Sequence, residues 1–140
     1  METILCATRG GEASIRTQQR AIALAKEREA RLVFIFVSDV HFLDHFTAPR
    51  VPAMEDEMKH LGEFLLLMAK ERAEKEGVAA DITVREGVFS TALIEAAKDH
   101  EATLIVLGRP ADEGLTTLEY LENELAPLLR EKTGCEVMVV

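Results

Sequence analysis

Short apolar runs alternate with longer stretches of helical period along this chain, and that alternation most narrows what it can fold into. Four runs, Ile4-Leu5-Cys6-Ala7, Leu32-Val33-Phe34-Ile35-Phe36-Val37, Leu104-Ile105-Val106-Leu107 and Val137-Met138-Val139-Val140, are continuously apolar. Each is too short for a helix, so each predicts a strand covered on both faces. A fifth run, Asp81-Ile82-Thr83-Val84-Arg85, alternates polar and apolar and predicts a half-exposed strand at a sheet edge. Strands separated by helices and covered on both faces belong to a parallel sheet with right-handed crossovers. The expected fold is therefore α/β, a single doubly wound domain over residues 1–140.

The intervening segments carry helix signals. Ile15, Ile22 and Ala25 predict a helix over about residues 14–28. Met54, Met58, Leu61, Leu65 and Met68 repeat at 4-3-4-3 spacing and predict a helix that Gly77 ends. Phe64, Leu66 and Leu67 widen its apolar face, and the Phe64–Met68 cluster reads as core. Gly62 inside this helix costs about 1 kcal/mol relative to Ala. A shorter helix is expected over 91–98, with Ser90 as its cap. Thr116-x-x-Glu119 has the form of a capping box. It opens a last helix whose buried face is Leu118, Leu121, Leu125 and Leu128. Pro127 falls inside that pattern, which predicts a kink or break near Asn123. Residues 39–53 carry two prolines and no long period and read as a loop.

Charge and composition exclude some functions. With 25 acidic against 16 basic residues the net charge is −9. A cationic surface is needed to neutralise phosphates, so general binding to nucleic acid or to an anionic membrane is not expected. No apolar run reaches the roughly 20 residues of a membrane span. No basic region followed by an apolar stretch opens the chain, and the two cysteines, Cys6 and Cys135, sit in strand-like runs. Reduced, buried thiols and a cytoplasmic location are the expectation.

Ligands of open α/β sheets bind beyond the carboxyl ends of the strands, where the strand order reverses. The residues there are Arg9-Gly10-Gly11, Ser38-Asp39, Arg85-Glu86-Gly87 and Gly108-Arg109-Pro110. If the first and fourth strands are neighbours, Arg9 and Arg109 face one crevice, and helix N-termini after Gly11 and Gly114 aim free N–H groups into it. That predicts an anion site, with pairing of the arginines to Glu12 and Asp112 as the alternative.

The whole chain resembles the universal stress protein family. The residues that carry the resemblance are Ile4 to Ser14 at the first strand and turn, and Leu32 to Asp39 at the second. Ala102-Thr103-Leu104-Ile105-Val106-Leu107-Gly108 is similar to the family's ADLIVMG signature, and Cys135-Glu136-Val137-Met138-Val139-Val140 to its terminal CPVLVV. The resemblance implies a five-stranded sheet of order 3-2-1-4-5 and a homodimer, which the bare apolar strand Val137–Val140 would form by pairing with its own copy. It also implies an adenine nucleotide, AMP, ADP or ATP, as a bound ligand rather than a required cofactor. The family's G-x-x-G, nine residues, then G-[S/T] is altered here. Gly108 matches the first glycine, Ala111 replaces the second, and Asn123-Glu124 stands where Gly-Ser would hold phosphate. Arg9 takes the place of the strand-one aspartate. Carried over by position, the nucleotide or anion site comprises Ala7, Thr8, Arg9, Gly10, Gly11, Val37, Leu107, Gly108, Arg109 and Asn123. The turn Arg9 to Ser14 is also similar to the S-G-G-x-D-S loop of ATP pyrophosphatases at Gly10, Gly11 and Ser14.

Other candidates read blandly. His41, Asp44 and His45 have a spacing that suits a metal but lack further ligands. Phe42 and Phe46 are expected to anchor the loop to the core, with a lid over the crevice that stacks on a base as the alternative. Ser14, Ser38 and Ser90 have no histidine–acid arrangement for a hydrolase triad. The expected protein is thus a binding and regulatory one with no catalytic residues assigned. The alternatives are a dimeric interaction module without nucleotide and a slow ATPase.

Overall fold

A computed structural model describes residues 2–9, 12–38, 52–109 and 118–140. In chain order the elements are β1 (Thr3–Ala7), α1 (Glu12–Arg28), β2 (Arg31–Ser38), α2 (Pro52–Lys75), β3 (Ala80–Glu86), α3 (Phe89–Asp99) and β4 (Leu104–Leu107). A composite helix α4 follows, made of Leu118–Tyr120, a π-helical turn Leu121–Leu125 and Ala126–Thr133, and then β5 (Glu136–Val139). The strands form one parallel sheet of order β3-β2-β1-β4-β5, as the sequence predicts. The half-exposed strand β3 is one edge and β5 the other.

Alternation along each strand splits the core in two. Ile4, Cys6, Leu32, Phe34, Phe36, Leu104 and Val106 point to the face covered by α1 and α2. Leu5, Ala7, Val33, Ile35, Ile105, Leu107 and Val137 point to the face covered by α3 and α4. All five residues of β1 are buried, which explains the continuous apolar runs of the central strands. Each fully buried Leu, Ile or Phe contributes roughly 1.5–3 kcal/mol relative to exposure.

Several details differ from expectation. Helix α1 starts at Glu12, two residues early. Helix α2 starts at Pro52, so residues 52 and 53 are helical rather than loop; proline suits a first helical position, where its missing N–H has no partner to lose. The remainder of the predicted loop, with His41, Phe42, Asp44, His45 and Phe46, lies outside the described residues. Gly77, at φ +78°, lets Val78 N–H reach the Ala73 carbonyl and closes α2. Ser90 is not the cap of α3: the helix opens at Phe89 after Val88, because Gly87, at φ +116°, turns the chain directly out of β3. Thr116 lies outside the described residues.

The largest departure concerns which side of α2 is buried. Gly62, Leu66, Ala69 and Ala73 face the sheet, whereas Met58 and Leu65 are half-buried and Leu61, Phe64, Leu67 and Met68 are exposed. The cluster read as core is mostly surface. The reason is size: small residues let the helix lie close on β2. A Cβ on Gly62 would run into the Phe36 ring.

The expected break at Pro127 takes the form of the π turn. Proline has no N–H for the Asn123 carbonyl, and the helix widens so that Ala126 N–H bonds the Leu121 carbonyl instead. The insertion shifts the buried face to Leu121, Leu125, Ala126 and Leu129, leaving Leu118 and Leu128 half-buried.

Gly62→Ala therefore tests the packing of α2. Helix propensity alone favours Ala by about 1 kcal/mol, but overpacking against Phe36 should cost about 1–3 kcal/mol more than that gain. A lowered urea midpoint is expected. An unchanged or raised midpoint would show that the Phe36 ring moves aside freely.

Candidate functional site

The order 3-2-1-4-5 reverses direction between β1 and β4, so their connections leave toward opposite faces and a crevice opens beyond their carboxyl ends. A cleft of about 180 Å³ lies there. Its floor is Ala7 and Leu107, the last residues of β1 and β4. One wall is the first turns of α1, with Ala13, Ser14 and Thr17; Phe89 at the start of α3 and Leu121 in the π turn supply apolar sides. Arg9, Gly108 and Arg109 complete the lining.

The two arginines are positioned differently. Arg9 follows β1 by two residues; its N–H donates to Ser14 Oγ at 3.2 Å, which ties the turn to α1. Its guanidinium lies 5.1 Å from the centre of the Phe89 ring, within range of a cation–π contact. Desolvation against the protein wall lowers its pKa, although the residue as a whole is exposed, and it remains a cation at neutral pH. Arg109 is fixed through its backbone, whose N–H donates to the Val140 carbonyl at 2.9 Å. Among the described residues neither guanidinium is paired with a carboxylate.

A buried polar relay supports the turn from the other face of the sheet. Thr8 N–H donates to the Ile35 carbonyl at 3.0 Å, and the Thr8 hydroxyl accepts from Gln18 Nε2 at 2.7 Å. Gln18 Oε1 in turn accepts from Arg72 Nη1 at 2.8 Å. Gln18 and Thr8 are both buried, and their mutual bond avoids leaving either polar group unmatched. The backbone carrying Arg9 is thus braced by α1 and, through Arg72, by α2.

Of the residues the sequence assigns, Ala7, Arg9, Leu107, Gly108 and Arg109 meet at this cleft. Thr8 turns its hydroxyl away toward Gln18. Val37 packs with the α3–α4 core and Asn123 is exposed on the π turn, and neither lines the cleft. Gly10 and Gly11 lie outside the described residues. The residues assigned from sequence leave out Ala13, Ser14, Thr17, Phe89 and Leu121 of this lining. A usable signal for Phe89 was its place two residues after Gly87, where a chain leaving a strand must turn over the sheet end. Among the described residues no group of three His, Cys, Asp or Glu could hold a metal.

Gly108 has a packing reason of its own. A Cβ there would meet Thr17 Oγ1, which donates to the Ala13 carbonyl at 3.1 Å. The glycine lets the end of β4 pass against α1, quite apart from any ligand.

The universal stress protein family model matches residues 1–140. A universal stress protein of Methanocaldococcus jannaschii is 30% identical over 138 residues, covering 98% of this chain and 80% of that one. A structure from the same family in Burkholderia pseudomallei is 28% identical with a TM-score of 0.76, covering 99% of this chain and 95% of that one. Two more distant structures carry nucleotides. A universal stress protein in complex with cAMP has TM-score 0.67 at 21% identity, covering 99% and 96% of the two chains. A family protein from Arabidopsis thaliana with AMP bound has TM-score 0.63 at 14% identity, covering 100% and 91%. The chain belongs to the universal stress protein family.

The packing account of Gly108 is open to a double-mutant cycle. Gly108→Ala is expected to lower stability by about 1–3 kcal/mol through overpacking, and Thr17→Ala in the same chain should recover part of that loss. Denaturation midpoints of the four proteins check this. Strict additivity would show that Thr17 is not what Gly108 accommodates.

Proposed function

We propose that this chain is a binding and regulatory protein whose β1–β4 cleft holds the phosphate of an adenine nucleotide or of another small phosphate-bearing molecule. The observation that carries this reading is the convergence of Arg9 and Arg109 on one cleft in a protein of net charge −9. Guanidinium is well suited to phosphate because its fork of donors matches phosphate oxygens. Relatives that hold AMP or cAMP point to the same ligand class. Glu122 and Glu124 are exposed on the π turn that supplies Leu121 and do not line the cleft; as neighbouring negative charges they disfavour a more highly charged ligand. A monophosphate is therefore favoured over a triphosphate.

A cytoplasmic location fits the two buried free thiols. Burial pushes the Cys6 pKa up to about 12, so that thiol is inert at neutral pH.

The second part of the reading is a homodimer through β5. Glu136 N–H and Val140 N–H bond the Thr103 and Leu107 carbonyls of the β4 side, so the peptide groups of Val137 and Val139 face outward. The edge is less bare than the sequence suggests, because Arg130 Nη2 donates to the Val137 carbonyl at 3.0 Å. Antiparallel pairing across a two-fold axis would displace Arg130 and extend the sheet through both subunits.

Thermal unfolding in phosphate, AMP and ATP tests the cleft, since a ligand of the native state raises its stability in proportion to occupancy. Stabilisation by AMP greater than by ATP is expected, and its loss in Arg9→Ala/Arg109→Ala. Wild-type protein unmoved by millimolar anion would leave the alternative, an interaction module without nucleotide.

The dimer is tested by Val139→Lys, which places a charge in the edge strand on a side chain half-buried against the α3–α4 core. Sedimentation should shift toward monomer while far-UV circular dichroism is kept. A wild type that is already monomeric at roughly tens of micromolar would refute the β5 reading.

A further inference from the structure

The side of α2 turned away from the sheet is apolar where a surface helix is ordinarily polar. Leu61 is 55% exposed, Phe64 60%, Leu67 55% and Met68 37%. They lie together around two turns of the helix, opposite the buried Gly62, Leu66, Ala69 and Ala73. A helix that is apolar on its outer side as well as its inner side calls for a second partner, and an exposed apolar cluster marks a contact surface.

The residues around this cluster form a seam. Glu57, Leu61, Phe64, Met68, Glu71 and Lys75 follow one another at 4-3-4-3-4 spacing, the repeat that keeps one line of side chains on one face of a paired helix. The seam is acidic at its start and apolar in its middle, and it ends on Glu71 and Lys75; paired antiparallel, Glu71 meets the partner's Leu61 at the border of the apolar stretch.

We propose that this seam docks onto the same seam of a second copy of this chain, with the two α2 helices antiparallel across a two-fold axis. The charges select that occupant. In the register that sets Phe64 against the partner's Met68, Glu57 falls against the partner's Lys75, because both lie seven residues further out along the seam. Each contact occurs twice about the axis. Parallel pairing would instead place Glu57 on Glu57 and Lys75 on Lys75. Lys75 is loosely held within its own chain: its partner Glu71 is 3.5 Å away and both side chains are largely exposed. Lys26, Arg72 and Lys75 line a groove of about 420 Å³ together with Glu76, which pairs with Lys26 at 3.8 Å, so three cations against one carboxylate stand where the partner's acidic helix start arrives.

One helix face is smaller than the roughly 800 Å² per partner of a standard interface. The pairing is therefore concentration-dependent rather than permanent. It is also separate from the β5 edge, since α2 packs over β2 and β3 at the far end of the sheet. It rests on neither the cleft nor the β5 dimer.

Analytical ultracentrifugation from micromolar to millimolar protein tests it, with wild type, Val139→Lys, Phe64→Glu, Glu57→Lys and Glu57→Lys/Lys75→Glu. Val139→Lys removes β5 pairing, so self-association that persists in that variant and is lost when Phe64→Glu is added is the expected result. Circular dichroism checks the fold, which an exposed substitution leaves intact. Glu57→Lys should weaken the association about five-fold, as two exposed pairs turn repulsive. Glu57→Lys/Lys75→Glu should restore it. The proposal is overturned if Val139→Lys stays monomeric to millimolar while wild type stops at dimer, if wild type is itself monomeric throughout, if Phe64→Glu associates like its parent, or if the charge swap fails to restore what the single reversal loses. Should Val139→Lys not fold, wild type passing beyond dimer and Phe64→Glu stopping there supports the seam, and equal masses for the two overturn it.

Discussion

The pairing of β1 with β4 is the contact on which the candidate site depends. Ile4 pairs with Leu104 and Cys6 with Val106, strands about a hundred residues apart in the chain. Nothing local brings them together; the pairing is stable because both strands are apolar on both faces and each face has a helical layer to bury against. Once formed, it places the turn after Ala7 beside the turn after Leu107. Arg9 and Arg109 then share a cleft although neither has any sequence relation to the other. A weaker β1–β4 register would loosen the arginine pair before it unfolded the domain, because both side chains sit beyond the last bonded residues.

Two glycines show how far a motif can be explained by packing. Gly62 allows a helix to approach an aromatic ring, and Gly108 allows a strand end to approach a threonine. Only the second coincides with a glycine of the nucleotide motif. Its retention here, where Ala111 and Asn123-Glu124 replace the rest of that motif, has a structural cause in Thr17. The anion affinity proposed for the cleft would therefore rest on Arg9 and Arg109 rather than on a glycine cradle.

The strands were legible because burial on two faces leaves a plain record, as in Leu32 to Val37, which has no polar residue to offer solvent; their order was legible only through the family resemblance, since the equally apolar Val137–Val140 lies at an edge. The half-exposed edge was equally legible in the alternation of Asp81 to Arg85. What the pattern could not show was which of two apolar sides of α2 meets the sheet. Periodicity weights residues by hydrophobicity, and Leu61, Phe64 and Met68 outweigh Gly62, Ala69 and Ala73, yet it is the small residues that allow close approach. The site was legible in its arginines, which stand at strand ends, and not in Thr17 or Phe89, whose roles arise from helix starts that only the folded chain brings alongside.

The two sheet edges are treated in different ways, and the difference bears on assembly. On β3, Asp81 pairs with Arg31 at 3.0 Å, Arg85 with Asp99 at 2.8 Å and Glu86 with Lys59 at 3.0 Å, so that edge is dressed with charge on most of its length. Charge of this kind discourages further strand pairing. On β5 the Arg130 guanidinium covers the Val137 carbonyl and Arg28 pairs with Glu136 at 3.5 Å at the start of the strand, while Val137, Met138 and Val139 bring no charge to the edge. The β3 end of the sheet, closed to strand addition, is the end over which α2 presents Phe64 and its neighbours. As proposed, a strand edge and a helix seam at opposite ends of one subunit would both be self-complementary contacts. Two such two-fold contacts close into a tetramer when their axes meet at right angles and otherwise propagate as an open array. The modest area of the proposed α2 seam would keep the second contact weak, so assembly beyond a pair would respond to protein concentration, and the Thr8–Gln18–Arg72 relay joins the turn after β1 to the helix that carries the seam.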